Sequence, residues 1–143
     1  PDVSFSVNKV CQFMHSPLDK HLKAVKKILR YLAGTKDYGL KIDKCMDFKI
    51  TGFSDVDWGS DMDDRRSTSG MCVYMRDNLV SWSFKKQAVV STSTTEAEYR
   101  SATQVVCEIM WIHSLLNDLK VSFQKPSVVW VDNRDAVCLA GNP

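Results

Sequence analysis

The sequence lacks the residue patterns that hold most zinc sites and disulfide-stapled domains. Its five cysteines form no CxxC pair, and its three histidines are scattered without metal-ligand spacing. These absences argue against a zinc site, and the odd number of cysteines argues against a closed disulfide framework. We therefore expect free thiols in a reducing compartment, three of them buried in apolar surroundings: Cys72, Cys107 and Cys138.

A signal peptide, a long apolar run and a strong net charge are also missing. No apolar run is long enough to cross a membrane, so no membrane partner is expected. The formal net charge of +2 is too small to indicate a nucleic-acid partner by itself. With 143 residues, 44% of them hydrophobic and 25% charged, the chain can bury a sizeable globular core. Since it starts without Met and stops just after a helix begins, it is interpreted as an excerpt from a longer protein.

The charges are unevenly distributed along the chain. Residues 1–45 hold nine Lys and Arg against four acids, whereas residues 55–64 hold five Asp and no basic residue. One interpretation is a polyanion that is gripped by the basic segment and cut with metal ions at the acidic one. The other is a solvated basic helix face next to a polar loop, and charge alone favours neither.

The N-terminal part is predicted to be helical, with helices over 4–15 and 18–33 and Gly34 as the C-cap of the second. A short strand over 38–42 and a turn over 43–47 follow, and the boundary to the main domain is placed in that turn. The second helix carries an apolar stripe that we expect to pack on the sheet domain and a basic face that is expected to bind a phosphate backbone or to be solvated. The stripe consists of Leu22, Val25, Leu29 and Leu32, and the basic face of Lys20, Lys23, Lys27 and Arg30.

The main domain alternates between strand and helix patterns. A first strand ends near Asp55, with Phe48, Ile50 and Gly52 on one face. A hairpin over 70–75 and 79–84, a long helix over 95–119, a buried strand over 127–131 and a final helix after Asp132 complete the order. This order predicts a mixed sheet in an α/β layer fold.

Three acids occupy positions from which they can converge. Asp55 and Asp132 lie at strand ends, and Glu98 lies near the start of the long helix. The helix stripe runs through Ala102, Val105, Ile109, Ile112 and Leu116, and one step of four back from Ala102 reaches Glu98. Glu96 falls on a more polar face, so Glu98 is predicted to point inward. Carboxylates that share one site repel each other unless cations neutralise them, and such clusters support two-metal phosphodiester hydrolysis.

The acids between 55 and 64 superficially resemble a calcium-binding loop. Counted from Asp55, the sixth position is Ser60 rather than Gly, and the twelfth is Arg66 rather than Glu. An EF-hand is therefore excluded. Most of these acids are interpreted as solvated loop residues or as partners of Arg65 and Arg66.

Several short runs carry a family resemblance over essentially the whole chain. In the main domain they are residues 53–58 (FSDVDW), 63–70 (DDRRSTSG), 80–87 (VSWSFKKQ), 93–99 (STTEAEY) and 131–133 (VDN). These runs resemble the ribonuclease H domain of copia-type LTR retrotransposon Pol polyproteins. The segment from residues 1–8 (PDVSFSVN) to 28–35 (ILRYLAGT) resembles the end of the reverse transcriptase of the same polyprotein. The resemblance thus implies a basic, helical reverse transcriptase remnant over 1–45 and a ribonuclease H-like domain, truncated at its C-terminus, over 46–143.

The resemblance also implies a fold and an activity. The fold is α/β, with a ribonuclease H-like mixed sheet of five strands flanked by helices and preceded by a small helical segment. The activity is cleavage of the RNA strand of RNA/DNA hybrids during reverse transcription, with two Mg²⁺ or Mn²⁺ ions. Asp55, Glu98 and Asp132 match three of the family's four catalytic acids, so they are expected to be both catalytic residues and metal ligands. Nucleic-acid contacts are expected from Lys20, Lys23, Lys27, Arg30, Lys85 and Lys86.

The expected partners are the RNA/DNA hybrid and the reverse transcriptase part of the polyprotein, in a cytoplasmic retrotransposon particle or in the nucleus. The family's fourth acid belongs to a C-terminal His-Ile-Asp-type motif, and this chain ends before it. Because Mg²⁺ tolerates geometric errors badly, we expect slow turnover or none. The alternative is an inactive remnant that keeps the fold and binds nucleic acid only. An integrase core is disfavoured because residues 81–95 are copia-like in detail.

Overall fold

The computed structural model describes residues 1–44, 48–122 and 125–142. It divides the chain into two compact units, Pro1–Lys41 and Ile42–Pro143. The division falls close to the predicted boundary, and the correspondence of the two units to parts of a longer protein stays a prediction. No helix among the described residues is long and apolar enough to cross a membrane.

The first unit consists of two helices, α1 (Ser4–Cys11) and α2 (Asp19–Gly34). The predicted first helix is too long, because the chain turns after Cys11 and stacks the ring of Phe13 on that of His21 at 4.2 Å between centroids. The Nδ1 atom of His21 accepts a hydrogen bond from the Leu18 backbone N–H and so caps α2. Gly34 is the last helical residue rather than the cap, and Thr35 takes the cap position.

Most of the predicted stripe of α2 is exposed within this unit. The side of α2 that meets the start of α1 carries Ile28 and Tyr31, and the Tyr31 hydroxyl donates to Asp2. Three of the four stripe residues are exposed: Leu22, Leu29 and Leu32. The fourth, Val25, is half-buried. The expected packing of the stripe on the sheet domain stays a prediction.

The predicted strand over 38–42 is wrong. These residues form no strand, and Tyr38 and Ile42 are exposed. At the adjoining Asp43, the backbone N–H and carbonyl bond the side-chain amide of Asn78 instead of a neighbouring strand. The predicted turn over 43–47 extends into residues 45–47, which lie outside the described residues.

The described part of the second unit contains a four-stranded mixed sheet. Its strands are β1 (Ile50–Asp57), β2 (Thr68–Met75), β3 (Asn78–Lys86) and β4 (Val128–Val131), in the order β3-β2-β1-β4. β1 and β2 are antiparallel, as are β2 and β3, whereas β4 runs parallel to β1. The predicted hairpin is confirmed as β2–β3. The described residues contain four of the five strands that the family resemblance implies.

A long helix, α3 (Thr94–Asp118), covers one face of the sheet and completes the core. Its N-cap is Ser93, whose hydroxyl accepts from the Glu96 backbone N–H. The buried apolar cluster joins β1 and β2 to α3 and comprises Ile50, Val73, Val105, Ile109, Ile112 and Leu116. A final helix, α4 (Arg134–Ala140), follows β4 and is capped by Asn133. This α/β arrangement of a mixed sheet and helices is compatible with a ribonuclease H-like fold.

The cysteines are less buried than expected. Cys11, Cys72, Cys107 and Cys138 are free thiols, but Cys107 and Cys138 are exposed. Cys72 is half-buried on the sheet, and this burial raises the pKa of its thiol. The apolar neighbours of Cys107 in sequence misled the prediction, because successive residues of a helix point in different directions.

Candidate metal centre

Two of the three predicted acids are placed by the parallel pairing of β1 and β4. Ser54 of β1 lies opposite Val131 of β4 in the ladder. Asp55 and Asp132 are the next residues along these parallel strands, so both leave the ladder at the same edge of the sheet. Both carboxylates are exposed.

The third acid, Glu98, reaches the same edge from the first turns of α3. Its side chain is buried, with 6% exposure. One carboxylate oxygen from each of Asp55, Glu98 and Asp132 can be chosen such that all three lie within 4.8 Å of one another. The structure therefore brings together the three acids that the sequence singled out.

Glu96 lies outside this cluster and serves the start of α3 instead. Its carboxylate accepts from the Thr92 backbone N–H and hydroxyl, each at 2.8 Å, and pairs with Arg100 at 2.9 Å. The Thr92 N–H is the main cause that holds the pKa of Glu96 down at about 2, followed by the Thr92 hydroxyl and Arg100. The prediction that Glu98 rather than Glu96 points inward is therefore confirmed, and the role of Glu98 as a site residue stays a prediction.

Electrostatics in the cluster oppose ionisation of Glu98. Burial is the main cause that raises its pKa to about 7, and the neighbouring charges of Asp132 and Asp55 add to the effect. Within the described parts of the chain, Glu98 Oε2 is buried without a hydrogen-bond partner. A cation in the cluster would supply that partner and remove the repulsion. Three hard carboxylate oxygens fit Mg²⁺ or Mn²⁺, so the residues present suit the expected ions.

The predicted nucleic-acid-binding residues differ in their exposure and in their ion pairs. Lys85 is exposed on β3, whereas the Lys86 ammonium is half-buried and contacts Asp61 and Asp64. The hydrogen bond from Lys86 is the main cause that lowers the pKa of Asp61 to about 2. Lys85 is thus the better placed of the two for a phosphate contact. On α2, all four predicted basic residues are exposed: Lys20, Lys23, Lys27 and Arg30.

The polar loop between β1 and β2 is an ion-paired structure rather than a calcium site. Asp64 pairs with Arg66 at 2.7 Å and with Lys86 at 3.1 Å. Asp61 also accepts hydrogen bonds from the backbone N–H groups of Asp63 and Asp64. The pair of Asp64 with Arg66 agrees with the interpretation, whereas Lys86, which binds both Asp61 and Asp64, was not expected as a partner.

Buried polar residues behind the acids were missed by the sequence analysis. Ser101 is completely buried, and Ser54 is nearly so. The buried amide of Gln87 donates to Ser69 Oγ and to the Ala97 carbonyl, which ties β2 and β3 to the start of α3. The available signal was Ser101 itself. It lies three residues after Glu98 and four before Val105, so the buried face of α3 runs through Ser101 rather than through the half-buried Ala102.

Comparison with known proteins gives matches along the whole chain. The chain is 46% identical over 143 residues to the retrovirus-related Pol polyproteins from transposons RE1 and RE2 of Arabidopsis thaliana, covering 100% of this chain and 10% of each relative. It is 36% identical over 147 aligned positions to the corresponding polyprotein from transposon TNT 1-94 of Nicotiana tabacum, covering 99% of this chain and 10% of the relative. No family model and no solved structure matches. On these similarities, the chain belongs to the family of retrovirus-related Pol polyproteins from copia-type transposons.

Proposed function

We propose that this chain carries the ribonuclease H activity of such a polyprotein, the metal-dependent hydrolysis of the RNA strand in RNA/DNA hybrids. The observation that carries the proposal is the cluster of Asp55, Glu98 and Asp132, with a buried Glu98 oxygen left without a partner in the described structure. Such a cluster is costly once all three acids are ionised, unless cations occupy it. The spacing of 4.8 Å or less allows the three side chains to share ions.

The three acids would hold the ions from two sides. Asp55 and Asp132 are exposed at the sheet edge and would hold the ions on the side from which substrate arrives, whereas Glu98 would hold them from the buried side. Two bound Mg²⁺ or Mn²⁺ ions would supply activation of the attacking water and neutralisation of the leaving oxygen. The protein part of the chemistry is therefore to fix three oxygens at one place and to keep Glu98 away from water.

Binding of the substrate is assigned to exposed basic side chains. Lys85 and the basic face of α2 carry positive charges that can neutralise phosphates of the hybrid. The proposed partners are the hybrid and the reverse transcriptase part of the same polyprotein, in a cytoplasmic particle or in the nucleus. The phosphate contacts of these basic side chains do not depend on base sequence, which suits an enzyme that must act along a whole hybrid.

The test combines metal uptake with cleavage. Mn²⁺ binding is measured by electron paramagnetic resonance, and cleavage of a labelled RNA/DNA hybrid is compared with that of duplex DNA and single-stranded RNA. We expect Mn²⁺ uptake and cleavage of the hybrid's RNA strand alone, both abolished by Asp55→Asn or Asp132→Asn. Asp63→Asn removes an exposed loop carboxylate and serves as the matched control. The expectation of slow turnover or none by this chain stays a prediction, which the absolute rate tests.

Two results would contradict the proposal. Cleavage that persists in chelator and equally in Asp55→Asn and Asp132→Asn would show that neither metal ions nor these acids carry the activity. Hybrid binding without Mn²⁺ uptake and without cleavage would instead favour the inactive nucleic-acid-binding domain.

A further inference from the structure

We propose that Ser54 and Ser101 act as positioning residues, whose paired hydroxyls fix the backbone of Asp55 relative to Glu98 and thereby set the geometry of the metal centre. The proposal rests on the function proposed above. Ser54 Oγ donates to Ser101 Oγ at 2.8 Å, and Ser101 Oγ donates to the Asp55 carbonyl at 3.1 Å. The exposed fraction of the side chain is 0% for Ser101 and 8% for Ser54.

The direction of the two bonds is determined by proton count. A serine hydroxyl has one proton to donate. Ser101 gives its proton to the Asp55 carbonyl, so it can only accept from Ser54. Ser54 is therefore the donor to Ser101, and Ser101 both accepts that bond and donates to the Asp55 carbonyl. Removal of either hydroxyl leaves the other with one partner fewer.

The pair occupies the middle of a seam between β1 and α3. Going down the seam, Asp55 faces Glu98, Ser54 bonds Ser101, and Gly52 lies under Val105. Glu98 and Ser101 are three residues apart and so lie on one face of the helix. One helical turn thus separates the metal ligand on α3 from the hydroxyl that holds the backbone of the metal ligand on β1.

This bond contributes something that apolar packing does not. The contact of Gly52 with Val105 is non-directional, so α3 could slide or rotate slightly over β1 while burying the same area. Hydrogen bonds prefer narrow ranges of distance and angle. Since Mg²⁺ demands near-ideal octahedral geometry, a small shift of Asp55 against Glu98 would be felt as lost metal affinity.

The competing explanation is that the two serines are simply a satisfied polar pair of the core. Removal of one hydroxyl would then destabilise the fold, and replacement of both by apolar groups would restore much of the stability. A positioning role predicts a different pattern, because the double replacement restores packing without restoring the bond to the Asp55 carbonyl.

The experiment compares Ser101→Ala, Ser54→Ala and the double variant with Thr103→Ala. Thr103 is exposed on α3 and its hydroxyl bonds the Tyr99 carbonyl of its own helix, so it is a matched control. Mn²⁺ affinity, thermal stability without metal, and kcat and KM on the hybrid are measured. We expect about 10- to 100-fold weaker Mn²⁺ binding in Ser101→Ala and in the double variant, with a lower kcat and little change in KM. Thr103→Ala should resemble the wild type.

The decisive comparison is between stability and affinity in the double variant. Recovery of the melting temperature without recovery of Mn²⁺ affinity supports the proposal. Recovery of both, or loss of neither in Ser101→Ala, overturns it and leaves a structural pair.

A second measurement separates this proposal from the function on which it rests. The resonance of the Asp55 carboxylate carbon reports the Asp55 side chain without any metal, whereas the Val56 amide shares a peptide group with the Asp55 carbonyl and would shift on loss of the Ser101 bond alone. If the wild type binds no Mn²⁺, the proposed function fails. The positioning role is then supported by a displaced Asp55 carboxylate resonance in Ser101→Ala and the double variant, and overturned by an unchanged one.

Discussion

At Glu98, burial and two neighbouring carboxylates act in the same direction. The folded chain keeps the proton up to a pKa of about 7, against an ordinary value of 4.5. In the metal-free protein, protonated Glu98 therefore stabilises the fold fully below pH 4.5, and this stabilisation is lost as the pH rises towards 7. At about 1.4 kcal/mol per pH unit, the loss is of order 3 kcal/mol. Glu96 and Asp61 affect the pH dependence of stability in the opposite direction, because their pKa values of about 2 lie below the ordinary values. Their contribution to stability is present above about pH 4 and is lost as the pH falls towards 2.

Replacement of Glu98 by Gln should separate stability from function. At pH 8 we expect Glu98→Gln to raise the free energy of unfolding of the metal-free chain by up to roughly 3 kcal/mol, because no buried charge must form. At pH 4 the wild-type side chain is already neutral, and the difference should vanish. Urea unfolding at both pH values in chelator measures this.

The control for that substitution is Asp63→Asn, which removes an exposed carboxylate. It should show no such dependence on pH. Added Mg²⁺ should stabilise the wild type at pH 8 and leave Glu98→Gln unchanged, since only a folded state that binds the ion gains from it. An equal stabilisation by Glu98→Gln at both pH values would contradict the assigned pKa.

At the scale of elements, the contact between β1 and α3 decides where the site forms. A Cβ atom added at Gly52 would collide with Val105 Cγ1 and lie 3.1 Å from Ile109 Cδ1. Both neighbours belong to the buried apolar cluster. The absence of a side chain at Gly52 therefore lets α3 approach the sheet closely enough for Glu98 to reach Asp55.

Gly52→Ala should move or destabilise that contact. We expect a loss of about 1–3 kcal/mol in the free energy of unfolding, as for overpacked cores, together with weaker Mn²⁺ binding. The matched control is Gly70→Ala on the neighbouring strand, where the added Cβ would meet Phe84 Cδ2 at 3.7 Å, an ordinary contact. Gly52→Ala combined with Val105→Ala should recover part of the loss. Equal stability of the two single variants would show that the close approach is not needed.

At the scale of the whole molecule, the described core and the acid cluster belong to one unit. The buried apolar cluster, the sheet and all three acids lie within Ile42–Pro143, whereas the four basic residues of α2 lie within Pro1–Lys41. Compact units with their own cores commonly fold alone. Metal binding and charge-based substrate binding are therefore expected to be separable.

Removal of residues 1–41 tests this separation. We expect the chain 42–143 to keep its melting temperature and Mn²⁺ affinity but to bind hybrid more weakly, with a salt slope reduced by roughly 0.9 for each lost phosphate contact. Replacement of Lys20, Lys23, Lys27 and Arg30 by Gln in the full chain should produce the same loss. Unchanged hybrid affinity in both variants would identify the basic face as merely solvated.

The sequence by itself determined the features that depend on neighbours along the chain. The strand pattern before Asp55, the two strand patterns over 70–75 and 79–84 and the helical spacing from Ala102 to Leu116 placed β1, the hairpin and α3, because these periodicities act within a few residues. The three acids could be found for the same reason, since strand ends and a helix start are local positions.

Only the tertiary structure decided what depends on partners far away in the chain. The 38–42 segment forms no strand, and the Lys86 ammonium pairs with Asp61 and Asp64. Ser101 rather than Ala102 completed the buried face of α3, because β1 supplied Ser54 and the Asp55 carbonyl as its partners. The raised pKa of Glu98 likewise arises from burial by packing and from charges 43 and 34 positions away in sequence. Periodicity reports the direction of a side chain, but the identity of its contacts is set only when the elements pack.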